Sequence, residues 1–402
     1  MRRQLKTVLV AMTAALGLAA GAGTTATADP TGQPHGQRVC ATAAVGEAAC
    51  HAVVLVDANG QRVNPMGQPL GQAGTSPTTI SGKTPSDIQS AYKLTGLNSG
   101  GRTVAIVDAY GYRNAQRDLA TYRTQWGLSA CTTTSGCLRI INQSGGTSLP
   151  QFNAGWAGEQ ALDLDAVSAT CPDCKIVLVQ ANSASFADLG AAVNTAARQA
   201  GVVAISNSYG GGDVADSSYG AAYNHSGIAV TASTGDNGYQ GGSFPASSHY
   251  VTAVGGTTLV TASTGRGWSE SAWNGSGSGC ATLNAAPAGQ TTTMTSCSGR
   301  AIADVSAVAD PATGLATYAP TTRNSSSWAQ YGGTSLSAPI IAAVYALSGR
   351  TDGYANTIPY GTPGGLFDVT AGSNGTCTSW CTSTSGWDGP TGLGSPNGTA
   401  AF

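Results

Sequence analysis

The stretch Gly332-Gly333-Thr334-Ser335-Leu336-Ser337-Ala338-Pro339 carries the most information about the fold and the chemistry of this chain. A turn of small residues leads to Ser335, at the start of an apolar segment, residues 340–347, that has the composition of a buried helix. A hydroxyl at this position is expected to be exposed, held on a tight backbone and close to the positive end of the helix dipole. The pattern therefore predicts that Ser335 is a nucleophile.

A nucleophilic serine needs a base, and the histidines are poor candidates for that role. His35 and His51 lie in an N-terminal region that resembles an extension, whereas His225 and His249 lie in loop-like sequence. All four are interpreted as surface or loop histidines. The base is therefore sought among the carboxylates.

Residues 156–167 supply two of them on a predicted helix. Glu159 and Asp163 are four residues apart, so they share one helix face, and on a buried face such a pair would share a proton. Asp165 points in another direction and is interpreted as a solvated or capping acid.

Two further acids follow predicted strands. Asp236 comes directly after the apolar run 227–232, and the carboxyl end of a parallel strand is where α/β proteins place their ligands. Its setting, Gly-Asp-Asn-Gly, is also compatible with a plain turn. Asp108 ends the first core strand, where it either extends the hydrogen-bond chain of Glu159 and Asp163 or is a simple strand-end turn acid.

Together these residues resemble the sedolisins, the serine-carboxyl peptidases, which have a subtilisin-like fold and a Ser-Glu-Asp triad. The order of the motifs is that of the family. The stretches that match are Gly158-Glu159-x-x-Leu162-Asp163, Ser206-Asn207-Ser208-Tyr209-Gly210-Gly211, Ser233-Thr234-Gly235-Asp236-Asn237-Gly238, Phe244-Pro245-Ala246-Ser247-Ser248, Val251–Thr257 and Gly332–Pro339.

The resemblance implies peptide-bond hydrolysis at acidic pH. Ser335 would be the nucleophile, Glu159 its general base, Asp163 the residue that orients Glu159, and Asp236 a protonated acid in the oxyanion hole. Ser208, Tyr209 and Gly210 would bind the substrate backbone. Endopeptidase and tripeptidyl-peptidase action both remain open, and the substrates would be proteins or peptides.

The C-terminal region resembles the structural calcium site of the same family. The implied ligands are the carboxylates of Asp368 and Asp388 and the main-chain carbonyls of Val369, Thr384 and Gly386, and such an oxygen set suits a hard cation. An ordinary loop rich in Gly, Asn and Asp is the alternative.

Residues 1–28 have the basic start, apolar run and small-residue cleavage site of a secretory signal peptide. The ten cysteines fall in local pairs, so five nearest-neighbour disulfides are expected in a secreted, extracellular protein. A zinc site at Cys171, Cys174, Cys377 and Cys381 is the weaker alternative.

Only 9% of the residues are charged and there is no basic run, which argues against nucleic-acid binding, and nothing after residue 28 resembles a membrane span. Residues 29–82 are interpreted as a short extension or prosegment with a linker. Residues 83–402 are interpreted as a single, monomeric α/β catalytic domain, a subtilisin-like parallel sheet with helices on both faces. Two other functions stay open: a catalytically silent binding protein on this fold, and a neutral subtilase that uses His225 or His249.

Overall fold

The computed structural model describes residues 32–70, 80–350, 352–377 and 380–402. The predicted signal peptide and most of the predicted linker lie outside these residues. Within them, no helix is both long and apolar enough to cross a membrane.

The strands, in chain order, are β1 His35–Arg38, β2 Ala49–Cys50, β3 Val53–Val56, β4 Thr103–Ala109, β5 Leu138–Asn142, β6 Lys175–Ala181, β7 Val202–Asn207, β8 Tyr209–Gly212, β9 Ala229–Ser233, β10 Ser243–Phe244, β11 Thr252–Thr261, β12 Trp268–Ala272, β13 Gly279–Ala281, β14 Arg300–Ile302, β15 Val305–Val308, β16 Leu315–Pro320, β17 Ser326–Gly332, β18 Leu366–Phe367 and β19 Ser395–Pro396. The α-helices are α1 Pro85–Ala91, α2 Ala115–Gln125, α3 Ala154–Thr170, α4 Phe186–Ala197, α5 Asp216–Tyr219, α6 Thr292–Thr295, α7 Thr334–Ser348 and α8 Ile358–Gly361.

The central sheet has the order β12-β11-β9-β7-β4-β6-β5, with β15 also paired to β11. Adjacent strands in this sheet are parallel, except for β11 and β12, which are antiparallel. Both faces are covered, since Val104 and Ile106 of β4 pack in one apolar cluster and Ala105 and Val107 in another. Helices α3 and α7 lie against one face and α4 against the other. The predicted fold class is confirmed.

The N-terminal region packs on this domain. Strand β3 lies between β1 and β17 in a second, antiparallel sheet that also contains β16. Strand β2 pairs with β8, which directly follows Ser208. Residues 35–56 thus reach the carboxyl edge of the central sheet, where β4, β7 and β9 end.

All ten cysteines are paired as nearest neighbours, which confirms the predicted disulfides and contradicts the zinc alternative. The bridges are Cys40–Cys50, Cys131–Cys137, Cys171–Cys174, Cys280–Cys297 and Cys377–Cys381.

Candidate active site

Ser335 lies in the first turn of α7. The helix follows Gly333, whose φ of +91° is a left-handed conformation that favours glycine. Ser335 Oγ donates to Glu159 Oε2 at 2.8 Å and also lies 3.2 Å from the carbonyl of Ser208. Pro339 has no N–H to bond the carbonyl four residues back, and that carbonyl, of Ser335, accepts instead from Ser208 Oγ at 3.3 Å. The predicted nucleophile and base are therefore in direct contact.

Three carboxyl groups lie together beneath this contact. Glu159 and Asp163 are both fully buried on α3, and Asp163 Oδ1 accepts from Ser208 Oγ at 2.8 Å. Burial, followed by the neighbouring Asp163, raises the pKa of Glu159 well above its usual value. Burial likewise raises the pKa of Asp163, and it raises that of Asp108 together with the charges of Asp163 and Glu159. Asp108 is buried, but neither of its carboxyl oxygens has a hydrogen-bond partner among the described residues, so the expected extension of the hydrogen-bond chain is not seen.

Asp236 lies at the start of α7, after β9. Its Oδ1 accepts from the Thr334 amide at 2.8 Å and from the Thr334 hydroxyl at 2.9 Å. Its Oδ2 is buried with no hydrogen-bond partner among the described residues. Burial raises the pKa of Asp236 to about 6, against the opposing effect of the Thr334 amide. At acidic pH the proton therefore belongs on Oδ2, from which it can be donated.

The strand after Ser208 is occupied by the chain's own N-terminal region. Ala49 and Cys50 pair antiparallel with Gly210 and Tyr209. Ser335 is consequently fully buried, so its predicted exposure is wrong in this structure. The cause lies in residues far away in the sequence, which cover the site.

His51 is the clearest failure of the sequence interpretation. The sequence predicts a surface or loop histidine, but His51 is buried, and its Nδ1 lies 2.7 Å from Ser233 Oγ. Burial lowers the pKa of His51 to about 3, with a smaller contribution from the charge of Arg38. Its imidazole makes no hydrogen bond to the Ser335 hydroxyl, whose partners among the described residues are Glu159 and the Ser208 carbonyl.

The other histidines are also not paired with the nucleophile. The His225 ring contacts the Ala222 carbonyl, and the His249 ring contacts those of Ala285 and Ala286. Asp165 differs from its prediction as a solvated or capping acid: it is buried and accepts from the Tyr318 amide at 2.9 Å, which fixes β16 against α3.

The two carboxylates of the predicted calcium site approach the same loop. Asp368 Oδ2 accepts from the Gly386 amide at 2.9 Å, and Asp388 Oδ2 accepts from the Thr384 amide at 3.2 Å. Burial raises the pKa of Asp388 to about 7, against the opposing effect of hydrogen bonds from Thr391 and Thr384. In the described part of the chain no group of three or more His, Cys, Asp or Glu side chains is placed to hold a metal. Carboxylate and main-chain carbonyl oxygens are the ligand types that calcium prefers in proteins, so the residues implied for this site suit that ion in their chemistry.

Sequence reasoning missed two participants. Thr334 fixes Asp236 through both its amide and its hydroxyl, and the Gly-Thr-Ser motif was the signal for it. The Ala52 amide donates to Glu159 Oε2 at 2.7 Å, and no local pattern indicated that contact.

A model of the subtilase family (Peptidase_S8) matches residues 151–355. Kumamolisin from Bacillus sp. (strain MN-32) is 32% identical over 78% of this chain, which spans 62% of the length of kumamolisin. Tripeptidyl-peptidase sed1 from Aspergillus fumigatus is 36% identical over 25% of this chain and 16% of its own length.

Among solved structures, Pseudomonas sedolisin, a serine-carboxyl proteinase in complex with two molecules of pseudo-iodotyrostatin, is similar with a TM-score of 0.65 and 25% identity. That match covers 79% of this chain and 96% of the sedolisin chain. The chain belongs to the subtilase family. Kumamolisin and the sedolisin structure support its place among the sedolisins within that family.

Proposed function

We propose that this protein is a secreted serine-carboxyl peptidase that hydrolyses peptide bonds of proteins or peptides at acidic pH. The contact of 2.8 Å between Ser335 Oγ and Glu159 Oε2 carries the proposal. It is the geometry in which a base takes the proton of a nucleophile. The binding-protein alternative has no comparable observation in its favour.

In the proposed reaction, Ser335 Oγ attacks the carbonyl carbon of the substrate while Glu159 takes its proton. Glu159 then gives that proton to the leaving amine, and a water molecule later hydrolyses the ester at Ser335. Asp163, fixed by the Ser208 hydroxyl, orients Glu159 from the next turn of α3.

Asp236 has the opposite task, because it must donate a hydrogen bond to the developing oxyanion. With Oδ1 occupied by two donors from Thr334, the proton is available at Oδ2. Activity should therefore fall as the pH rises through the pKa of Asp236, about 6.

The buried cluster can lose one proton far more easily than two, because like charges in one site repel each other. That first charge belongs to the Glu159–Asp163 pair, because Glu159 accepts hydrogen bonds from Ser335 and Ala52 and Asp163 accepts one from Ser208. No hydrogen bond to Asp108 is found among the described residues. The base thus becomes available while Asp108 still holds its proton.

Other parts of the proposal concern the whole protein. Residues 1–28 would direct secretion, 29–82 would form a short prosegment with its linker, and 83–402 would form the monomeric catalytic domain. One structural calcium ion would be held by the carboxylates of Asp368 and Asp388 and the carbonyls of Val369, Thr384 and Gly386. Ser208, Tyr209 and Gly210 would bind the backbone of the substrate.

The test is hydrolysis of a denatured protein from about pH 2 to about pH 8 by the wild-type protein and its Ser335→Ala and Glu159→Ala variants. Activity limited to acidic pH and lost in both variants is expected. Neutral activity that survives Glu159→Ala would move the base to another residue. If the folded protein is inactive at every pH even when its N-terminal region does not cover Ser335, the binding-protein alternative is favoured.

A further inference from the structure

The loop that carries Asp236, residues 234–240, is held on both sides of this acid by a second stretch of chain. That stretch, residues 274–278, is here called the support segment, and residues 234–240 are called the Asp236 loop. Two main-chain hydrogen bonds join them, from the Gly277 amide to the Gly235 carbonyl at 2.7 Å and from the Gly238 amide to the Gly275 carbonyl at 2.9 Å. One bond lies directly before Asp236 and the other two residues after it. The support segment therefore fixes the main chain from which the Asp236 carboxyl projects.

There is no room for side chains where these stretches meet. A Cβ atom on Gly277 would be 2.2 Å from the Thr234 carbonyl oxygen, and one on Gly238 would be 2.3 Å from the Asn374 carbonyl oxygen. Backbone lies directly on backbone, so the support segment and the Asp236 loop must move together. The contact at Gly238 also brings in a third stretch of chain, near the C-terminus.

Asn374 belongs to this third stretch, here called the C-terminal loop (residues 372–377 and 380–383). Its amide donates to the Cys381 carbonyl at 2.9 Å, and Cys381 forms a disulfide with Cys377. The residues on either side of Asn374 are exposed, but Asn374 itself is only 4% exposed. A buried amide side chain is unfavourable unless its polar atoms have partners, so the contacts of Asn374 explain its burial.

Asn374 is bonded to both of the stretches described above. Its side-chain Nδ2 donates to the Ser276 carbonyl at 2.7 Å and to Ser278 Oγ at 2.8 Å, both in the support segment. Its main-chain carbonyl accepts from the Tyr239 amide at 3.2 Å, in the Asp236 loop. Both donors of the buried amide are thus used on the segment that fixes the Asp236 loop.

We propose that Asn374 is a positioning residue for Asp236. Through the support segment and the Tyr239 amide, it holds the Asp236 loop where Asp236 Oδ2 can donate to the oxyanion of the substrate. This inference rests on the proposed function, which gives Asp236 its role in the reaction. It adds a residue of the C-terminal loop that acts on the reaction without touching the substrate.

The carboxyl of Asp236 reports whether the loop is held. Burial raises its pKa to about 6, against the opposing effects of Thr334 and of the charge of Arg38. Glu159 is the other ionisable group that faces it. These groups stay in place when Asn374 is changed, but a loosened loop admits water to the carboxyl. The pKa of Asp236 should then fall toward its ordinary value of 3.8.

The first measurement needs no peptidase activity. The pKa of Asp236 is obtained from the pH dependence of the stability gained by Asp236→Asn, with and without Asn374→Ala, in a Ser335→Ala background. Asn374→Ala removes both side-chain donors and should bring the pKa of Asp236 down from about 6 toward 3.8. Ser373→Ala, at the exposed neighbouring position, is the matched control and should leave it at about 6.

A second variant covers the case in which Asn374→Ala does not fold. Ser278→Ala removes one of the two partners of the Asn374 side chain and should lower the pKa of Asp236 in the same direction by a smaller amount. A pKa of Asp236 that stays at about 6 in every folded variant would overturn the inference.

The second measurement, on a peptide substrate, separates positioning from a general effect on the fold. Asn374→Ala should lower kcat about 10-fold with KM unchanged, and the loss of activity with rising pH should begin at lower pH. In an Asp236→Ala background the same substitution should lower kcat less than about 2-fold further, because the group to be positioned is gone. An equal loss of kcat in both backgrounds would contradict the inference.

The two measurements also separate this inference from the proposed function. A wild-type protein that hydrolyses no peptide, but in which Asn374→Ala lowers the pKa of Asp236, would refute the peptidase and leave Asn374 as the residue that holds Asp236. An active wild-type protein with an unchanged pKa and an equal loss of kcat in both backgrounds would refute the inference alone.

Discussion

The substitution Asp236→Asn tests the electrostatics of the site most directly. The Asp236 carboxyl is buried, its Oδ1 accepts two hydrogen bonds from Thr334, and its pKa is about 6 instead of 3.8 because burial disfavours the charge. An asparagine can keep the acceptor oxygen toward Thr334, but it cannot ionise. The substitution should therefore remove a pH-dependent cost from the folded state.

The size of that cost follows from the two pKa values. One pKa unit corresponds to about 1.4 kcal/mol, so the charged carboxylate is about 3 kcal/mol less favourable in the folded chain than in the unfolded chain. The folded state holds the proton of Asp236 more tightly than the unfolded state does. The neutral carboxyl therefore contributes its full stability below about pH 4, and this contribution is lost as the pH rises through about 6.

The assay is the free energy of unfolding in denaturant, with disulfides intact, in a Ser335→Ala background that lacks the proposed nucleophile. The stability gained by Asp236→Asn should be about 3 kcal/mol greater at pH 7 than at pH 3. Asp352→Asn, at an exposed position, is the control and should show no such difference. If the stability gained by Asp236→Asn differs by less than about 1 kcal/mol between pH 7 and pH 3, the raised pKa assigned to the buried Asp236 is refuted.

Other substitutions test the remaining parts of the site. Ser335→Ala should lower kcat by about 10⁴-fold or more, and Glu159→Gln by about 10²–10⁴-fold, measured on a peptide substrate; near-normal turnover in either would exclude the triad. Asp304→Asn should destabilise the fold by about 3–5 kcal/mol in denaturant unfolding, because it leaves the buried Arg300 guanidinium without its counter-ion. Chelation by EDTA should lower the melting temperature of the wild type but not that of Asp388→Asn; an equal effect on both would remove calcium from this loop.

Much of the fold could be predicted because its signals are local. The strand that ends at Asp108, the apolar run 227–232 and the helical spacing of residues 156–167 predicted β4, β9 and α3, and the structure has each of these elements. The disulfide partners followed from closely spaced cysteines. The short β1, β2 and β3 could not be placed in the same way, since their pairing partners are distant in the sequence.

The candidate site shows the same difference between features set by local sequence and features set by the whole fold. The spacing of Glu159 and Asp163 on one helix, and of Ser335 after a glycine turn, determined which groups face each other within an element. Their protonation depends on burial, and burial depends on what the whole chain packs over them. For this reason the raised pKa values of Glu159 and Asp163 followed only from the structure.

The sequence by itself therefore predicted the proposed nucleophile and carboxylates and the sheet that carries them, because helix periodicity, strand composition and turn chemistry act over a few residues. Only the tertiary structure decided that His51 and Ala52 lie in the cleft and that Ser335 is covered. The Ala52 amide and Glu159 are 107 residues apart, and the Ser335 hydroxyl and Ser208 carbonyl are 127 apart. No local pattern encodes contacts at such separations, because they form only when the strands that bring them together have paired.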